Sequence, residues 1–328
     1  MTRHARAGLA TLLCAALGTP ANAQPQQPNF ATVEIRSLQV RESIYMLVGA
    51  GGNITMQVGD DGILLVDTQY APLSNKIIAA IRKISNKPIH YIINTDHHGD
   101  HTGGNANLRA AGSTVSGGNM AGAIRDSGVG AAIIAHENVL NHLSAATGAQ
   151  ATPSDGWPTD TFFGNKKEMY YNGEGIEILH MPAAHTDGDS IVFFRRSDVI
   201  SAGDVFVTNS YPVIDLANGG SYLGIVDALE RLVDIIIPVY GQDGGTLVIP
   251  GHGRLSNLGD VLNFREMVLV VRDRLQAAIA AGMTLEQVKA TKPTFDYDPV
   301  YGATAGATDR FLEAAYKSLS DSAKGAKK

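Results

Sequence analysis

The strongest constraint on this chain is a set of seven carboxylate and imidazole side chains carried by four short, glycine-bearing segments far apart in sequence. Asn94-Thr-Asp96-His-His98-Gly-Asp100-His101-Thr-Gly-Gly104 follows the apolar run Ile89–Ile93. His185 sits in Pro182-Ala-Ala-His-Thr-Asp-Gly-Asp189, Asp204 in Ser201-Ala-Gly-Asp-Val205, and His252 in Pro250-Gly-His-Gly253. In an extended segment, side chains two apart point the same way. Asp96, His98 and Asp100 therefore converge, and Gly103-Gly104 lets the chain turn and swing His101 to a neighbouring spot. Carboxylates and imidazoles at such spacing suit a borderline cation such as zinc. Gathering all four segments requires a fold that brings several strand ends to one place.

The hydrophobic pattern supplies those strands. β-Branched runs at Ile44–Val48, Ile54–Val58 and Ile63–Val66 are broken by Gly51-Gly52 and Asp60-Asp61-Gly62, the pattern of hairpin-linked strands. Pro72–Ile84 reads as a helix with Ile77, Ile78, Ile81 and Ile84 on one face. A second helix-rich stretch is expected over Asn119–Thr147, then strands at Ile176–His180, Ser190–Phe194 and Val199–Ala202. A helix at Ile225–Ile236, a strand at Thr246–Ile249 and further helices complete the pattern. Strands then helices, twice over, predict two sheets packed face to face with helices outside. One domain is expected over 33–317, after a polar leader at 24–32 and before a small-residue, lysine-bearing flexible tail at 318–328.

The first 23 residues read as an export signal: Arg3 and Arg6, an apolar run from Ala7 to Leu17, and the small-x-small site Ala21-Asn22-Ala23. A periplasmic or secreted location is the expectation. No run is long enough to span a bilayer. The only cysteine, Cys14, lies in that signal, so the remainder has no disulfide and no thiolate ligand. The net charge of −6, which loss of Arg3 and Arg6 takes to −8, argues against a nucleic-acid partner and leaves a small-molecule substrate.

In order and spacing the four motifs resemble the metallo-β-lactamase-fold hydrolases, over roughly Val33–Gly259. The resemblance implies an αβ/βα four-layer sandwich with a two-metal site between the sheets. Carried over position by position, His98, His185 and the residue at 96 hold one metal. Asp100, His101 and His252 hold the other, Asp204 bridges them, and Asp67 supports the site from below. Two Zn2+ ions are implied, with manganese or iron as alternatives. A metal-bound hydroxide would attack the carbonyl of a small cyclic amide or ester, with Asp100 orienting it and relaying its proton. β-Lactams come first and lactones or other esters second, because export places the chain where antibiotics and signals arrive. A non-catalytic binding protein with an impaired site is the alternative from another class. Lacking thiols, the chain stands outside the β-lactamase subclasses with a cysteine ligand.

One position departs from the family pattern, which has histidine where this chain has Asp96. His97 is out of phase and does not replace it, so Asp96 either ligates or leaves a vacant, water-filled position. As a ligand, Asp96 takes the charge of two divalent cations with Asp100 and Asp204 from +2 to +1, making a weaker Lewis acid. His90, His136, His142 and His180 read as structural. Ser221 reads as a helix N-cap that also has a place near the cleft. Asn119–Phe163, with the single tryptophan Trp157, is long enough to form a cleft wall.

Overall fold

The computed structural model describes residues 28–114, 130–148, 151–236 and 244–325. The export signal, Cys14, the start of the leader and the first part of the stretch expected to be helical, residues 119–129, lie outside the described residues. The first sheet has seven strands in sequence order: β1 (Arg36–Gln39), β2 (Ile44–Val48), β3 (Ile54–Gly59), β4 (Gly62–Val66), β5 (Ile89–Ile93), β6 (Ala132–His136) and β7 (Asp160–Phe162). β1 to β4 form an antiparallel meander, and β4 to β7 pair in parallel. The second sheet adds β8 (Lys166–Tyr171), β9 (Glu174–His180), β10 (Ser190–Phe194), β11 (Val199–Ser201) and β12 (Leu247–Ile249), in the order β12-β11-β10-β9-β8.

The layers follow from strand periodicity. In β4 all five residues are buried. Leu64 and Val66 point into the space between the sheets, where Met46, Ile93, Ile178, Val192 and Phe194 meet them. Ile63 and Leu65 point the other way, onto Ile77, Ile81 and Leu108 of the outer helices. A strand covered on both faces is apolar without alternation, and each fully buried aliphatic side chain contributes about 1.5–3 kcal/mol. The outer face of the second sheet is covered by the helices Tyr222–Ile236, Leu258–Ala280 and Ala307–Gly325, through Leu229, Leu232, Phe264, Val268, Phe311 and Leu312. This is the expected four-layer sandwich.

Three local expectations are corrected. Ala132–His136, inside the stretch expected to be helical, is a strand, and the helix begins only at Glu137. Pairing to β5 overrides a weak helical pattern there. The tail expected to be flexible from 318 is helical to Gly325, with Ser318 and Leu319 buried. Phe311, Leu312, Ala315, Ser318 and Leu319 form one face against the neighbouring helices, so packing fixes what composition made look loose. Trp157 packs on Ala135, Val139 and Leu143, and its Nε1 donates to the Thr152 carbonyl at 2.9 Å, away from the cleft.

Among the described residues, no helix is long and apolar enough to cross a membrane.

Candidate metal centre

All four motif segments end at the same edge of the sandwich, where strands of both sheets run out. β4 ends at Asp67, whose φ of +66° places it in the left-handed region. Aspartate tolerates that region better than most residues, and here it aims the carboxylate under the next loop. Asp67 Oδ1 accepts the Thr95 amide at 2.8 Å, while Oδ2 accepts the Thr95 hydroxyl at 2.6 Å and His101 Nδ1 at 2.8 Å. β5 ends immediately before Asn94, and the segment expected to be extended instead bends over Thr95–His97 before the short helix Gly99–Thr102, so Asp100 parts from Asp96 and His98. That turn places Asp96 and His98 on one side and presents Asp100 and His101 from the helix.

The second sheet supplies the rest. β11 leads through Gly203, at φ +51°, to Asp204. β12 leads to Pro250-Gly251-His252, and a Cβ on Gly251 would run into Asp204 Oδ1 and the Gly203 backbone, so only glycine lets these loops meet. Asn53 ties the sheets together here: its amide donates to Gly251 at 2.7 Å and its Nδ2 to the carbonyls of Pro250 at 2.9 Å and Gly253 at 3.1 Å.

The seven expected residues are brought together. Asp96, His98 and His185 offer donor atoms within 4.8 Å of one another, as do Asp100, His101 and His252. Asp204 lies between the two groups, with Oδ1 3.3 Å from His101 Nε2 and 3.4 Å from His252 Nε2, and Oδ2 3.8 Å from His185 Nε2. Asp96 is more central than expected. Its Oδ2 lies 3.7 Å from His98 Nδ1, 3.8 Å from His185 Nε2 and 4.0 Å from His101 Nε2, so it faces both groups. Its Oδ1 is spent on the His98 amide at 2.8 Å.

The donor set fits divalent cations. Asp96 Oδ2, His101 Nε2 and Asp204 Oδ1 are buried, converge, and have no hydrogen-bond partner, an arrangement protein interiors rarely tolerate for polar atoms. Burial opposes the His101 imidazolium, yet Asp96, Asp204, Asp67 and Asp100 together raise its pKa well above the usual value. Burial likewise opposes charge on His98, but hydrogen bonding to Asp215 and Asp96 prevails and raises its pKa to about 11. Despite burial, Asp96 is held well below the carboxylate range by His101, His98 and His185, and Asp204 is lowered by His252 and His101. The site therefore draws in positive charge, which cations can supply in place of protons.

The centre forms the floor of a cavity of about 400 Å³, in which His98, Asp100, His185, Asp204 and His252 are reached from solvent. Val207, Asn209, Ser210, Val213 and Thr304 make its walls, and no lysine or arginine lines it among the described residues. Ser221 is not on that wall. It is the N-cap its sequence predicts, its Oγ accepting the Gly224 amide at 2.9 Å. No described residue of Asn119–Phe163 lines the cavity either. The four histidines read as structural stay out of the centre: His136 stacks on His180 at 3.6 Å, His142 Nε2 pairs with Asp187 at 2.7 Å, and His90 lies in β5. His97, out of phase as expected, has its ring between those of His98 and His142, each at 4.4 Å.

Asp215 carries no sequence signal. It belongs to no motif, and only the fold brings its Oδ2 to 3.1 Å from His98 Nε2.

The model of the metallo-β-lactamase superfamily matches residues 47–252. A linear primary-alkylsulfatase from Pseudomonas sp. (strain ATCC 19151) is 23% identical over 287 residues, covering 73% of this chain and 50% of that protein. Among solved structures, a stereoselective inverting sec-alkylsulfatase from Pseudomonas sp. aligns with a TM-score of 0.61 at 14% identity, over 88% of this chain and 50% of that one. A metallo-β-lactamase from Pontibacter korlensis aligns with a TM-score of 0.50 at 14% identity, over 71% of this chain and 99% of its own. The chain spans about half the length of the alkylsulfatase relative, and at these identities the structural likeness concerns the fold.

Proposed function

The chain belongs to the metallo-β-lactamase superfamily, and on that premise we propose that it is an exported, metal-dependent hydrolase of a small ester or cyclic amide, with β-lactams the first substrates to test. The observation that carries the reading is the convergence of buried, unpartnered donor atoms from both sheets on the floor of an open cavity. Asp96, His98 and His185 would hold one cation, Asp100, His101 and His252 a second, with Asp204 between them; zinc suits this nitrogen and oxygen set. Such cations polarise a carbonyl and lower the pKa of water.

The chain's own residues do the rest. Asp100 is on the cavity floor, with Oδ2 3.2 Å from His252 Nε2. Burial raises its pKa, but His101 and the hydrogen bond to His252 outweigh that and keep it ionised near neutrality. An ionised carboxylate there accepts a proton from an attacking water and passes it to the departing group. The wall formed by Asn209, Ser210, Val213 and Thr304 is uncharged, so the carboxylate of a β-lactam would be met by neutral hydrogen-bonding groups and the cations rather than by a basic side chain.

A second reading, hydrolysis of an alkyl sulfate ester, is favoured by the alkylsulfatase relative. The deciding experiment offers purified protein a chromogenic cephalosporin, a lactone, a p-nitrophenyl ester and an alkyl sulfate, with chelator and zinc add-back. Chelator-sensitive turnover restored by zinc supports the hydrolase, and the substrate turned over ranks the readings. No turnover of any of them by protein carrying two metals overturns both.

A further inference from the structure

His98 and His185 each have one ring nitrogen facing the centre and one facing away. The inner nitrogens, His98 Nδ1 and His185 Nε2, lie 3.0 Å apart. Both outer nitrogens end on the same loop, residues 211–221. His185 Nδ1 is 3.0 Å from the Val213 carbonyl, and His98 Nε2 is 3.1 Å from Asp215 Oδ2. Carbonyls and carboxylates only accept, so each outer nitrogen carries a hydrogen. Without a cation the protonated His98 donates from Nδ1 to His185 Nε2, and a cation that displaces this one proton would meet a lone pair on each inner nitrogen.

We propose that Asp215 is a positioning residue that commits His98 to this tautomer, so that the 211–221 loop sets the cation affinity of the Asp96–His98–His185 site. The proposal rests on the reading of His98 as a ligand. Hydrogen bonding of a ligand imidazole to a carboxylate fixes ring and tautomer, and loss of that partner typically weakens metal binding 10- to 100-fold.

Asp215 also has a local role. Its Oδ1 accepts the amides of Ala217 at 3.1 Å and Asn218 at 3.2 Å, capping the turn Leu216–Asn218. That cap uses one oxygen. The other is held by Asn218 Nδ2 at 2.6 Å and aimed at His98. The loop is in turn fixed to the ligand it serves, because the Asp215 amide donates to the His185 carbonyl at 2.9 Å. His97, His98 and Asp215 also group their donor atoms. They do not form a separate cation site, because Asp215 Oδ2 and His98 Nε2 satisfy each other and the hydrogen between them fills the position an ion would need.

Two variants separate positioning from capping. Asp215→Ser keeps a good N-cap but does not reach His98. Asp215→Asn keeps shape and cap, yet its amide can turn a hydrogen toward His98, which then accepts at Nε2 and carries its own hydrogen at Nδ1, closing the inner lone pair. The measurement is cobalt(II) titration of metal-free protein followed by absorption, with melting temperature alongside. The expected result is two cobalt sites in the parent, one of them weakened about 10- to 100-fold in both variants and more in Asp215→Asn, with little change in melting temperature of the metal-free forms. Asp215→Asn protein that binds both ions as the parent does, or variants weakened only in proportion to lost stability, would overturn the proposal. A parent that binds no cobalt overturns the ligand reading of His98 itself.

Discussion

His101 Nδ1 lies 2.8 Å from Asp67 Oδ2, and both residues are fully buried. Asp67 thereby does for the Asp100–His101–His252 group what Asp215 does for His98, holding the outer hydrogen so that Nε2 faces Asp204. Because Asp67 also accepts the amide and hydroxyl of Thr95, Asp67→Ala strands three buried donors. We expect a stability loss of about 2–5 kcal/mol and loss of one of two metals, read by denaturant unfolding and by elemental analysis. Unchanged metal content would remove Asp67 from the site.

Asp96 brings a negative charge to a position that the motif resemblance would give to histidine. Asp96→His should raise the net charge at the centre, lower the pKa of activated water, and move the rising limb of the pH–rate profile to lower pH. The check is a kcat/KM profile from about pH 5 to 9, spanning the activated-water pKa, for whichever substrate is turned over. A profile superimposable on the parent's would sink the charge argument.

Metal removal should be visible without any substrate. The centre places Asp96, Asp100 and Asp204 close together with His98, His101, His185 and His252, and an ion that binds only the folded chain stabilises it by mass action. Zinc at 100 times its dissociation constant contributes about 2.7 kcal/mol, a rise of about 5 °C in Tm for a domain of this size. Scanning fluorimetry with chelator and then zinc measures it, and an identical Tm in both would count against a specific site.

The stacked pair His136 and His180 gives a pH signature of stability. Burial and the neighbouring His180 lower the His136 pKa to about 4, and burial lowers that of His180. A histidine whose pKa is depressed in the fold contributes stability that is present above its unfolded pKa, about 6.5, and is lost as pH falls through the folded value. Tm should fall between about pH 6.5 and pH 4, and His136→Phe should flatten that slope. An equal slope in the variant would assign the acid sensitivity to other groups.

The candidate metal centre is legible in the sequence because its residues are polar types placed where a chain has no local reason for them, at strand ends beside glycine; the two-residue spacing is not the reason, since Thr95–His97 bend and Asp100 sits on a helix. β2 to β4 are legible for a similarly local reason: short apolar runs rich in isoleucine and valine, broken by Gly51-Gly52 and Asp60-Asp61-Gly62. Asp215 is not, since its role depends on a residue 117 positions away and its own segment advertises only a turn. Nor is β6, five residues whose strand state is decided by pairing with β5 and β7. The end of the Ala307–Gly325 helix is hidden because its alanines, serines and lysines mask a face that only packing reveals.

The four donors of the first sheet precede residue 102, and the three of the second follow residue 184. A cation can therefore grip them all only after both sheets have docked, which makes it a late-closing clasp. Interactions absent from the folding transition state act on the rate of coming apart. Bound metal should thus leave the speed of refolding nearly untouched and lengthen the lifetime of the folded chain.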